Sequence, residues 1–120
     1  MKISLDGKWN LVRSVASGKE GASPEGSFLK IQGDLFERHT PNHVFTRKLK
    51  LDTTKNPMEI DLLITNEPDL GKTFLGILEC DDDILTIAHS LPGFPRPTSF
   101  ESTPENQQIL SISKKEPPKQ

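Results

Sequence analysis

The sequence predicts an all-β chain: a closed antiparallel up-and-down β-barrel of about eight strands. Three observations lead there. The periodic stretches alternate every second residue, as strands do, instead of following a helical repeat. Turn signals at Gln32-Gly33-Asp34, Asn56-Pro57 and Asp81-Asp82-Asp83 fall between them at hairpin spacing. An open sheet of so many short strands would also leave two unpaired edges, and closure removes both.

Taken in order, Gly7 to Val15 sets Trp9, Leu11 and Val15 on one face, with Arg13 among them. Phe28, Leu29 and Ile31 form a short second strand before the turn at Gly33. Leu35 to Thr40 follows, with Glu37 between Leu35 and His39. Val44 to Asp52 aligns Phe45, Leu49 and Leu51, with Arg47 interleaved. After Asn56-Pro57, Met58, Ile60, Leu62 and Ile64 alternate with Glu59, Asp61, Leu63 and Thr65, the cleanest half-buried pattern in the chain. In Lys72 to Asp81, Glu79 shares a face with Leu75 and Ile77, and Cys80 shares the other with Phe74, Gly76 and Leu78. Ile84 to Ser90 places His89 in register with Leu85 and Ile87. Leu91 to Pro97 carries three prolines and reads as a loop. Thr98 to Ser102 and Ile109 to Lys114 complete the strands. Residues 16–26 read as a flexible loop of small residues, and Pro104 to Gln107 has room for one helical turn. Residues 1–115 then form a single domain, and 116–120 a disordered tail.

Composition limits the function. The chain has 120 residues, a net charge of −2 and 32% hydrophobic residues. One domain of this length can bury a core without staples. The low apolar content implies a thin core or a partly polar interior. Balanced charge gives no pull toward nucleic acid or an anionic membrane. A single cysteine, Cys80, excludes an internal disulfide. No run is apolar enough for a membrane span, and Met1-Lys2-Ile3-Ser4-Leu5-Asp6 lacks the apolar core of a signal peptide. A cytoplasmic protein is the simplest expectation, with a mature secreted form as the alternative.

Two stretches carry a family likeness. Gly7-Lys8-Trp9 resembles the G-x-W signature of lipocalins. The second half is similar to an uncharacterised lipocalin-like domain family abundant in planctomycete-type bacteria. The likeness rests on Lys55-Asn56-Pro57-Met58-Glu59-Ile60-Asp61, Gly71-Lys72-Thr73-Phe74-Leu75-Gly76-Ile77, Asp83-Ile84-Leu85-Thr86-Ile87 and Pro92-Gly93-Phe94-Pro95-Arg96-Pro97-Thr98-Ser99-Phe100. The resemblance implies a lipocalin-like (calycin) barrel whose Trp9 closes one end beneath a cation from the last strand. Lys114, placed on the face of Leu110 and Ile112, is the expected cation. The resemblance implies no activity.

Candidate chemistry is sparse. His89 on an inward face could ligate haem or act as a proton shuttle, and the plainer alternative, a hydrogen-bonded interior histidine, is the preferred one. Arg13, Arg47, Glu79 and Glu37 interrupt apolar faces. Directed inward, the two arginines would hold a carboxylate or phosphate. The plainer alternative is that they reach solvent or pair with Glu79 and Glu37. Phe94 and Arg96, on the stiff loop 91–97, suit a barrel mouth or a protein contact; the plainer alternative is a rigid connector whose Phe94 caps the core. His39 and His43 flank a surface turn, and no His/Cys spacing suggests a metal. The sequence calls for no cofactor.

The expected function is non-catalytic binding of a small hydrophobic or anionic ligand in the barrel interior or mouth. A protein-interaction domain using loops 16–26 and 91–97 is the first alternative. A small barrel cyclase or isomerase with His89 or Glu79 as acid/base is the second. A cavity of ~300 Å³ or more walled by Arg13, Arg47 or His89 would favour the ligand; a filled interior would favour protein contacts.

Overall fold

The computed structural model describes residues 5–16, 18–21, 26–41, 43–65 and 70–116. Two tight turns set the pairing pattern. Gly33 (φ 60°) and Asp82 (φ 54°) adopt left-handed backbone conformations, which two-residue hairpin loops require. Gln32 therefore pairs with Leu35, and Asp81 with Ile84.

Nine strands result: β1 (Gly7–Ala16), β2 (Lys19–Gly21), β3 (Phe28–Gln32), β4 (Leu35–Thr40), β5 (His43–Asp52), β6 (Met58–Ile64), β7 (Thr73–Asp81), β8 (Ile84–His89) and β9 (Ile109–Lys115). No helix occurs among the described residues. Antiparallel pairing runs β1-β3-β4-β5-β6-β7-β8-β9, and β9 pairs back onto β1. Eight strands thus close into an up-and-down barrel. β1 serves both neighbours: Gly7 to Asn10 pair with β3, and Trp9 to Ala16 pair with β9. The short β2 stands outside the circuit, against Ser14 to Ala16. It falls in the stretch expected to be a loop; residues 17 and 22–25 of that stretch lie outside the described residues.

The core of the barrel is one apolar cluster that includes Trp9, Leu29, Ile31, Ile60, Leu78 and Leu85. Trp9 is buried at one end, where its indole Nε1 donates to the Leu5 carbonyl at 2.9 Å. This satisfies the ring's only polar atom.

A β-bulge changes which side chains share the first face. Between Leu11 and Arg13 the register with β9 slips by one residue, and Val12 lies 60% exposed. A bulge inverts the alternation beyond it. Trp9 and Leu11 point inward, whereas Arg13 and Val15 point outward. The expectation of one face shared by Trp9, Leu11, Arg13 and Val15 is corrected accordingly. β9 is corrected in the same sense: Ile109, Ser111 and Lys115 face inward, and Leu110, Ile112 and Lys114 outward. A shift of one residue exchanges the two faces of a strand completely.

The outer wall has its own apolar row. Val15, Leu110, Ala88 and Ile77 are successive cross-strand partners, and Val15, Ala88 and Ile77 are buried. Residues 90–108, between β8 and β9, cross this wall. The Arg96 guanidinium donates to the carbonyls of Gly76 (2.9 Å) and Ile60 (3.3 Å). It also meets the carboxylates of Asp61 (2.7 Å) and Glu59 (3.5 Å). Those acids alternate with inward-facing Ile60 and Leu62, so Arg96 lies outside the barrel. Further along, the Gly18 N–H donates to Ser102 Oγ at 3.0 Å. The segment therefore runs from β6 and β7 across to the far end of β1.

Thr98 to Ser102, expected to be a strand, lies within this cover and has no ladder partner. Residues 104–106 form a turn and not a helix. The expected tail is ordered at its start: the Glu116 N–H donates to the Lys8 carbonyl at 2.8 Å. Residues 117–120 lie outside the described residues.

Candidate functional site

The barrel is stoppered by Trp9 at one end and hollow toward the other. The hollow follows from the sheet register. Ile31 pairs with Phe36, and Leu29 with Arg38. Since Ile31 and Leu29 are core residues, their partners Phe36 and Arg38 also face inward. One strand on, Arg38 pairs with Phe45, and Phe36 with Arg47. Arg38 and Arg47 thus come from adjacent strands on the inner wall, beside three phenylalanines.

These side chains surround a cavity of about 140 Å³. Its floor is apolar, made by Leu29, Phe36, Leu62 and Ile87. Toward the open end it is bounded by Arg38, Phe45, Arg47, Phe74, His89, Ile109, Ser111 and Leu11. The volume falls short of the ~300 Å³ set as the mark of a drug-sized site. It is close to the ~150 Å³ of a dry protein cavity that accepts benzene.

Four polar side chains line it: Arg38, Arg47, His89 and Ser111. The Arg47 guanidinium carbon lies 5.4 Å from the centroid of the Phe74 ring and 5.5 Å from that of Phe45. Its Nη1 donates to the Thr46 carbonyl at 3.0 Å. Arg38 Nε is sealed from solvent, and no protein acceptor meets it among the described residues. Burial lowers the Arg38 pKa, but a guanidinium still remains charged at neutral pH.

His89 packs edge-on against Phe74, with centroids 5.2 Å apart. Burial, with the charges of Arg38 and then Arg47 adding to it, pushes its pKa down to about 4. The imidazole is therefore neutral at pH 7. Its Nδ1 is shielded and lacks a partner among the described residues. Gly76 stands opposite His89 on β7. A Cβ there would come within 3.0 Å of His89 Cβ and 2.8 Å of the Ala88 carbonyl oxygen. Glycine at this point lets the two strands and the imidazole approach.

Of the residues singled out by sequence, Arg47 and His89 line the cavity and Trp9 closes the opposite end. Gly7 lies beside Trp9, where a Cβ would meet Lys115 Cε at 3.0 Å. Other expectations are corrected. Arg13 is exposed on the outer wall beyond the bulge. Glu79 is exposed on the outer face of β7. Glu37 is also on the outer side, 3.0 Å from His39 Nε2. Neither acid pairs with a cavity arginine. Arg96 is tied to the outer wall, and Phe94 is 45% exposed on the same segment; neither lines the cavity. Lys115, and not Lys114, stands over Trp9, with Nζ 5.4 Å from the ring centroid.

The sequence reading missed Arg38. A signal was present: the turn at Gly33-Asp34 pairs Ile31 with Phe36, and inward Phe36 carries Arg38 with it. Glu37, between Leu35 and His39, pointed to the opposite face of β4.

No group of His, Cys, Asp and Glu among the described residues is arranged to hold a metal ion. No family model matches the chain, and neither a curated protein nor a solved structure is detectably similar to it.

Proposed function

We propose that the protein is a non-catalytic binding module whose barrel holds one small, partly apolar ligand at its open end. The observation behind this is the cavity itself: an apolar floor beneath Arg38, Arg47 and a neutral His89. Small-molecule sites combine these features, mostly apolar walls with a few converging polar groups. A void of about 140 Å³ suits a ring or short branched chain and has no room for a long lipid tail. Membership of the uncharacterised lipocalin-like family resembled by residues 52–100 belongs to the same proposal, since a closed eight-stranded barrel suits it.

The enzyme alternative is weaker. Glu79, its candidate acid, is on the outer face, which leaves His89 as the cavity's remaining candidate acid or base. A protein contact draws support from Phe94, exposed between prolines on a loop tethered by Arg96. The matching contact through loop 16–26 includes residues 17 and 22–25, which lie outside those described.

Native mass spectrometry of protein purified without denaturant tests the ligand reading. A discrete small-mass adduct is expected, and Ser111→Phe, which directs a ring into the cavity, should abolish it. An adduct that survives this substitution, or its absence together with no binding of any small aromatic compound, would overturn the proposal.

A further inference from the structure

We infer that the ligand is a compact organic carboxylate, bound with its acid group at Arg38 and its apolar body on the cavity floor. This rests on the binding reading above and specifies the ligand's charge and size. Three features carry it.

The first is the separation of charge across the barrel wall. Both described arginines of β4 and β5 face inward and line the cavity, whereas the described acids on β4, β6 and β7 face outward. Glu37 is beside His39, Glu59 and Asp61 are with Arg96, and Glu79 is exposed. Among the described residues, the cavity lining contains no carboxylate. A cation withdrawn from water is costly unless an anion or acceptor meets it. Arg38 has a sealed Nε with no protein acceptor among the described residues, so a bound anion would supply one.

The second is the character of the remaining polar group. His89 contributes no charge at neutral pH, and its shielded Nδ1 is unpartnered among the described residues. It can exchange one hydrogen bond with a ligand oxygen while Arg38 sets the sign of the site. A guanidinium edge matches the two oxygens of a carboxylate. A phosphate has a third oxygen and greater hydration to lose, in a space with little room beyond the ligand body.

The third is size. A cavity of about 140 Å³ between Phe36, Phe45 and Phe74 accepts one flat ring, with its carboxylate at the open end. Benzoate is a suitable probe.

Isothermal titration calorimetry at pH 7 and low salt, with benzoate, benzyl alcohol, benzylamine and phenyl phosphate, tests the assignment. Benzoate should bind about tenfold or more tighter than benzyl alcohol, the usual scale for a charge-assisted hydrogen bond. Benzylamine should not bind, and phenyl phosphate should bind more weakly than benzoate. Arg38→Met should bring benzoate down to the level at which the same variant binds benzyl alcohol. The wild-type series decides the sign of charge even if that variant folds poorly. Equal binding of benzoate and benzyl alcohol would overturn the carboxylate inference and leave the binding module standing. Tighter binding of phenyl phosphate would replace carboxylate with phosphate. Binding of benzoate unaffected in folded Arg38→Met would remove Arg38 as the anchor. Failure of every probe would count against both the inference and the proposal beneath it.

Discussion

Lys115 lies over Trp9, with its ammonium 5.4 Å from the ring centroid, and Gly7 makes the approach possible. A Cβ on Gly7 would sit 3.0 Å from Lys115 Cε, and Gly7 has φ of +137°, a conformation that side chains disfavour. The closed end of the barrel is thus built from three cooperating residues drawn from β1 and β9. Lys115→Met should lower stability by about 0.5–1 kcal/mol. Lys114→Met, at an exposed outward position, should stay within about 0.5 kcal/mol of wild type. Urea unfolding of both variants checks the pair, and equal losses would contradict the assignment of Lys115 as the cation.

His89 predicts a pH dependence of stability. In the unfolded chain its pKa returns to about 6.5, while in the barrel it is held at about 4, first by burial and then by Arg38 and Arg47. Between those values the unfolded state binds more protons. The contribution of the neutral imidazole is therefore complete above pH 6.5 and is lost as pH falls toward 4. The full effect is on the order of 3 kcal/mol. Urea midpoints measured at pH 7.0, 5.5 and 4.5 should fall more steeply for wild type than for His89→Gln. Parallel curves would show that His89 does not carry the effect.

Gly76 is required by packing and not by backbone conformation. A methyl group there would meet the Ala88 carbonyl oxygen at 2.8 Å, His89 Cβ at 3.0 Å and Ile60 Cγ2 at 3.1 Å. Gly76→Ala should destabilise the barrel by about 1–3 kcal/mol, the usual cost of overpacking. It should also shift the His89 ring resonances in an NMR spectrum. A neutral substitution with unmoved resonances would mean that β7 and β8 are not held this closely.

Arg96 fastens the outer cover. Its guanidinium spans two backbone carbonyls and two carboxylates. Arg96→Met should cost about 1–3 kcal/mol, because acceptors on β6 and β7 lose their donor. Amide hydrogen exchange should quicken in residues 90–97 before it does in β6 or β7. Uniform quickening across the barrel would instead mean that the cover and the barrel open as one unit.

Strand identity was legible because alternation and turn chemistry are local. Met58 to Ile64 and Ile84 to His89 read correctly in position and facing, since each presents one clearly apolar face or a tight turn that sets its register. Closure was legible as well, from the cost of leaving two sheet edges unpaired. The cavity was half legible: Arg47 and His89 were found, and Arg38 was hidden because Glu37, between Leu35 and His39, pointed to the opposite face of β4.

Facing along β1, β7 and β9 depended on the assembled chain. Val12 bulges only because β9 is its partner, and that single slip moves Arg13 to the outer wall. Leu75, Ile77, Leu110 and Ile112 look like core residues by composition, yet they face outward toward the side that residues 90–108 cover. Strand propensity is a property of a few neighbouring residues, whereas inside and outside are set by contacts between segments far apart in sequence. The charge of the hollow end, with Arg38 and Arg47 inward and Glu37, Glu59, Asp61 and Glu79 outward, is a consequence of that second kind of interaction.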